Sequence, residues 1–245
     1  MTEQKLDYNK SYIDVLETLS AVNPRIKVVK NGDKLTIMSN NQSSNFCYIL
    51  EAPTSYFNMP VNELGFIDFN RFKKFYEAMS SKTVFASLSV NVDDDGTAVD
   101  MIFKNEARSD KLTLRLGDTT LPTFDSSFHE LADHSPDVVV EFDQETIKEI
   151  QRKISIIGAD YIDVTSNDNV LNFNVYTMRS ADRADYPVFL EQPAAKPFAI
   201  KFTAEALNLL PEGKYKIEID ADGCLVLFQE REDDIKLKIM LLAEE

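Results

Sequence analysis

The chain has 245 residues, with 26 lysines and arginines against 41 aspartates and glutamates, for a net charge of −15. A hydrophobic content of 44% excludes wholesale disorder. No apolar run reaches the roughly 18 residues of a membrane helix, and the acidic balance excludes a general nucleic-acid coat, whose affinity comes from neutralising phosphates. The length fits one large domain or two smaller ones. The opening MTEQKLDYNK has no apolar h-region, so no secretory signal is expected. Two cysteines, Cys47 and Cys224, make no disulfide framework, and a reducing cytoplasm is the expected setting.

In chain order, residues 9–21 carry Tyr12, Val15, Leu16 and Leu19 at helical spacing. Residues 27–39 read as a hairpin around Asn31-Gly32. Phe69, Phe72, Phe75, Tyr76 and Met79 then predict a second helix over 69–79. Residues 83–104 form another hairpin, turning on Asp93, Asp94, Asp95 and Gly96, and 111–116 alternate as a half-buried strand. The stretch 118–136 holds turn formers without a clear period and reads as a linker. A strand at 137–142 precedes a third helix over 144–157, with stripe Ile147, Ile150, Ile154 and Ile157, N-cap Asp143 and C-cap Gly158. Strands follow at 161–165 and 170–176. A short helix at 203–210 is stopped by Pro211 and Gly213. Strands at 214–219, 224–229 and 235–242 close the chain.

The same order of elements occurs twice, with Phe66 set against Phe198 and Asp95-Gly96 against Asp222-Gly223. The sequence therefore predicts an α+β protein of two similar domains, 1–117 and 137–245, joined by the linker.

Catalytic chemistry is missing from the sequence. His129 and His134 lie in the linker without further zinc ligands, and the phosphate-cradle, dinucleotide and common hydrolase motifs are absent. The DDDG and DADG turns do not continue with the calcium-loop ligand order. No enzyme activity, cofactor or metal is expected. The bases, by contrast, are clustered. Residues 69–82 hold Arg71, Lys73, Lys74 and Lys82 against Glu77 alone, and the third helix carries Lys148, Arg152 and Lys153. Such clusters fit either solvated helix faces or a surface that meets phosphates.

The stretch FDQETIKEIQRKISIIGADYIDVTSNDNVLNFNVYT (142–177) is similar to the helix, break and hairpin that open the second domain of phage sliding clamps. LLPEGKYKIEI (209–219) looks like their short last helix followed by a strand. The ending KLKIMLLAEE (236–245) resembles the tail of the proliferating cell nuclear antigen superfamily, without its proline. The chain thus resembles a DNA polymerase sliding clamp, or processivity factor, of the large tailed-bacteriophage type.

That resemblance implies a DNA clamp fold, with antiparallel sheets outside and two helices per domain inside a ring of six domains. Three chains would close it as a homotrimer in the cytoplasm of a bacterial host. The ring would encircle double-stranded DNA without sequence preference and tether a DNA polymerase, after an ATP-dependent clamp loader had placed it. The implied DNA-facing residues are Lys10, Arg71, Lys73, Lys74, Lys148, Arg152 and Lys153. A pocket for partner peptides would use Met38 and Gln42, then Leu121, Pro122 and Phe124 of the linker, then Cys224 and Leu225, and Met240, Leu241, Leu242 and Ala243 of the tail. Subunit edges are expected at Lys111, Thr113 and Arg115 and at Tyr186, Val188 and Leu190. The competing expectation is an acidic, duplicated α+β interaction module that binds basic protein partners rather than DNA.

Overall fold

The computed structural model describes residues 4–5, 10–41, 43, 45–55, 61–79, 86–105, 110–117, 136–194, 196–221, 223–230 and 234–244. The first series of elements is β1 (Gln4–Lys5), α1 (Lys10–Val22), β2 (Ile26–Asn31), β3 (Lys34–Asn40), β4 (Phe46–Pro53), β5 (Glu63–Phe66), α2 (Phe69–Met79), β6 (Ala86–Val92), β7 (Ala98–Asn105) and β8 (Asp110–Arg115). The second is β9 (Val138–Phe142), α3 (Gln144–Ile157), β10 (Tyr161–Asn167), β11 (Val170–Tyr176), β12 (Arg183–Phe189), β13 (Phe198–Thr203), α4 (Ala204–Asn208), β14 (Tyr215–Asp220), β15 (Cys224–Glu230) and β16 (Lys236–Leu242).

Strand order makes the duplication explicit. The first series gives the neighbours β1-β6-β7-β8 and β5-β2-β3-β4, and the second gives β9-β14-β15-β16 and β13-β10-β11-β12. Adding eight to each strand number of the first series yields the second. Pairing is antiparallel from β2 to β3 and β5, and likewise from β10 to β11 and β13. Register also refines the alignment of the halves. Phe66 lies opposite Ile26, and Phe202 lies opposite Ile162. The counterpart of Phe66 is therefore Phe202, not the Phe198 that spacing alone suggested.

By packing, the chain divides into two units. One gathers Met1–Gln42, Tyr48–Phe124 and Glu230–Leu237; the other gathers Ser43–Cys47, Asp125–Gln229 and Lys238–Glu245. The short segment 43–47 joins the second unit through backbone pairing, since Leu242 N–H donates to Asn45 O at 2.8 Å. Asn45 Nδ2 also donates to the Glu244 carboxylate. The interdomain linker expected over 118–136 lies almost wholly outside the described residues.

In the first unit, α1 packs on β3 and on α2, which rests on β7 and β8. The core there is aromatic. Phe72 stacks with Phe69 at 5.1 Å between ring centroids and meets Phe66 at 4.9 Å and Phe103 at 6.2 Å. Phe66, Phe69, Phe72 and Tyr76 are all buried, each contributing about 2 kcal/mol through lost water contact.

In the second unit the helix face is aliphatic, and the core also holds Phe142 and Phe173 at 5.3 Å between ring centroids. Ile147, Ile150 and Ile154 form the buried face of α3, while Ile157 is half-exposed. The expected caps are both present. Asp143 accepts the Thr146 N–H at 2.8 Å, and Gly158 takes the left-handed conformation, φ 61, that frees the chain to leave the helix. Along β10 and β11 burial alternates residue by residue, as period-2 side chains require. The first hairpin turns one residue later than expected: Asn31 still pairs with Lys34, leaving Gly32 and Asp33 at the bend.

Candidate helix surface and strand edges

Helix α2 turns Phe69, Phe72 and Tyr76 inward, so residues three and four apart on the opposite side face solvent. Arg71 and Lys74 stand exposed there, and Arg71 meets the preceding Asp68 at 3.2 Å. Lys73 projects sideways and is largely covered. Its Nζ lies 3.1 Å from Glu17 of α1, with only 13% of the side chain accessible. Lys10 opens α1, but its side chain lies outside the described atoms.

On α3 the exposed residues are Glu145, Lys148, Arg152, Ser155 and Ile156. Lys148 reaches Glu212 at 2.9 Å, and Arg152 lies 3.8 Å from Glu149 one turn back. Exposed pairs of this kind are weak and exchange easily for another anion. Lys153 differs. Its Nζ donates to the backbone oxygen of Asp185 at 2.7 Å and sits 4.9 Å from the centre of the Tyr186 ring. It spans from helix to strand instead of projecting freely from the outward face.

Among the described residues β1, β5, β8, β9, β12 and β13 each end a sheet; the two that the sequence named as subunit edges are β8 in the first unit and β12 in the second. In an antiparallel ladder the N–H and C=O of one residue point to the same side, and successive residues alternate. Leu116 N–H donates to Val99 O of β7, whereas Gly117 N–H turns the other way to Gly65 O at 2.8 Å. Among the described residues, alternation leaves the outward backbone groups of β8 on Lys111, Thr113 and Arg115, which the sequence named as a subunit edge.

On β12 the parity is the opposite of that expectation. Leu190 N–H donates to Asn169 O at 2.7 Å, so Leu190, Val188 and Tyr186 direct their backbone toward β11. The outward groups belong to Arg183, Asp185, Pro187 and Phe189. Proline supplies no N–H, which is why an edge strand accommodates it. Phe189 is 76% exposed, a large apolar side chain next to the open edge.

The candidate peptide positions divide by burial. Met38 is half-exposed on β3. Cys224, Leu225, Met240 and Leu241 are buried and belong to the core of the second unit, so they line no open surface. Burial also pushes the Cys224 thiol up to about 12, which suppresses its nucleophilic form. Leu242 and Ala243 remain half-exposed at the end of β16. There Ala243 N–H donates to Gly223 O at 2.8 Å, an approach that a side chain at position 223 would crowd. Gln42, Leu121, Pro122 and Phe124 lie outside the described residues.

Among the described residues, no group of three or more histidines, cysteines or acids is placed to hold a metal ion. None of the described helices is long and apolar enough to cross a membrane.

No protein-family model and no curated protein matches this chain. Solved structures do. The crystal structure of proliferating cellular nuclear antigen from Entamoeba histolytica superposes with a TM-score of 0.72 at 14% identity, covering 99% of this chain and 98% of that one. PCNA of A. fulgidus, in a structure with the C-terminal region of FEN-1 bound, gives 0.70 at 13% identity over 100% of this chain and 99% of that one. The fold, an α+β arrangement of antiparallel sheets and few helices, is that of PCNA.

Proposed function

We propose that this chain is a sliding clamp, a non-catalytic ring that encircles duplex DNA and tethers a DNA polymerase. The observation that carries the reading is the duplicated fold, in which β8 and β12 each end a sheet. A β8 edge of one copy meeting the β12 edge of the next would continue the sheet from chain to chain. Such a head-to-tail contact closes by rotation, and three copies of a two-part chain close a six-part ring.

Arg71, Lys74, Lys148 and Arg152 are the residues we assign to the phosphate backbone. They are exposed on α2 and α3 and hold only exchangeable surface partners. Contacts of this type attract a duplex without reading its bases, so the ring can slide. Retention is topological, and loading requires an ATP-driven loader in trans. A. fulgidus PCNA binds the C-terminal region of FEN-1, and by analogy we assign partner peptides to the end of β16, around Leu242 and Ala243. The phage-type resemblance of residues 142–177 points to a phage replication polymerase as the tethered enzyme.

The test is polymerase extension of primed circular DNA with a clamp loader and ATP, run with and without this protein, alongside its mass by light scattering. Longer products and a trimeric mass are expected. A protein that stays monomeric at all concentrations and leaves product length unchanged is not a clamp.

A further inference from the structure

We propose that Lys153 is a latch on the β12 edge, which holds the Asp185 carbonyl in the free subunit and releases it when a second copy pairs its β8 there. The inference rests on the ring reading above and names what regulates its closure. Asp185 is one of the outward-facing residues of β12, so its carbonyl is an acceptor that an incoming strand needs. Lys153 occupies it from α3 at 2.7 Å, with its ammonium held over Tyr186. The Tyr186 hydroxyl lies 3.5 Å from Thr146 Oγ1, which helps keep ring and helix together.

Two effects oppose assembly while the latch is closed. The incoming strand's N–H must displace or share the ammonium. That strand also brings Lys111 and Arg115, both exposed, toward a site that already holds a positive charge. Pro187 removes one further donor from the same edge, so the ladder that drives pairing lacks a bond there. The edge is built to close weakly, as a ring that must be opened for loading requires.

The experiment measures trimer dissociation by sedimentation equilibrium, and subunit exchange by energy transfer between labelled chains. Wild type is compared with K153M, K153R and T113P. T113P strips an outward N–H from β8 and is expected to remain monomeric. K153M is expected to lower the dissociation constant about tenfold and to slow exchange, the scale of one charge-assisted hydrogen bond. K153R keeps a cation at the carbonyl and should behave like wild type. Association of K153M equal to or weaker than wild type, with T113P still monomeric, overturns the latch and leaves the ring standing. If wild type and T113P are both monomeric, the ring itself fails and the latch with it.

Discussion

Lys73 of α2 and Glu17 of α1 join two neighbouring helices of one unit, Nζ to Oε1 at 3.1 Å, with the lysine mostly covered. In sequence Lys73 is one base of a cluster; in space it is committed to its own protein. Replacing it with alanine should remove about 0.2–1 kcal/mol of stability, the range of a partly exposed ion pair. Processivity should stay within about twofold of wild type on that scale. Arg71→Glu, Lys74→Glu, Lys148→Glu and Arg152→Glu combined should instead shorten polymerase products while the trimeric mass holds. Equal losses from Lys73→Ala and the fourfold variant would mean that the exposed and covered bases do not differ in role.

Asp143 makes the start of α3 sensitive to acid. Its acceptance of the Thr146 N–H holds its carboxyl below the ordinary 3.8. A folded-state pKa lowered in this way adds stability that is complete above 3.8 and is lost as pH falls through the lower folded value. Asp143→Ala should therefore be less stable than wild type in urea at pH 7, with the difference shrinking below about pH 4. Asp143→Asn, which still caps, should recover most of the loss at pH 7. A difference that stays constant from pH 7 to 2.5 would show that the carboxylate charge plays no part.

Cys224 titrates in the other direction. Burial raises its thiol from 9.0 to about 12, so the folded protein favours the neutral form. Stability from this group is fully present below 9.0 and is lost as pH rises toward 12. Iodoacetamide at pH 8 should leave Cys224 unmodified in the native protein and alkylate it in denaturant, read by peptide mass. Cys224→Ala should flatten the fall in stability above pH 9. Rapid native alkylation would contradict the buried position, and with it the exclusion of Cys224 from an open peptide pocket.

Much of the fold was legible because its signals are local. The α3 caps Asp143 and Gly158 each act within a few residues, and the stripe Ile147, Ile150 and Ile154 needs only the helical period. What escaped depends on partners distant in sequence. β4 carries buried residues on both faces at its start, Phe46, Cys47 and Tyr48, so no alternation announces it. On β12 the sequence singled out Tyr186, Val188 and Leu190, whereas the outward backbone belongs to Arg183, Asp185, Pro187 and Phe189. Side-chain patterning does not report which way a backbone carbonyl points; the Leu190 to Asn169 bond does. Lys153 resembled its neighbours Lys148 and Arg152 until Asp185, 32 residues on, was brought beside it.

Gly213 is held at φ 147, where side chains are strained, and a Cβ built there would lie 2.0 Å from Gln229 Nε2. The carboxamide is the movable partner, fixed by its bond to Glu212 O at 3.1 Å. Gly213→Ala should destabilise the second unit by about 1–3 kcal/mol through backbone strain. Adding Gln229→Ala relieves the clash but not the φ, so the double variant should stay below the stability of Gln229→Ala alone. Full recovery in the double variant would assign the whole effect to the clash.

Pro187 gives a last test of the β12 edge, because its two roles pull in opposite directions. Its ring stiffens the unfolded chain, so Pro187→Val should lower the stability of the isolated subunit by about 0.4–1 kcal/mol. The new N–H points away from β11, since Leu190, Val188 and Tyr186 occupy the inward positions. It therefore adds a donor where a second copy's β8 would lie. Association should tighten by about 0.5–1.5 kcal/mol per contact, a fewfold to roughly tenfold in dissociation constant. Thermal unfolding of dilute protein and sedimentation of concentrated protein should thus move in opposite directions. If both measures fall together, residue 187 does not face a neighbouring strand, and β12 is not the edge at which copies meet.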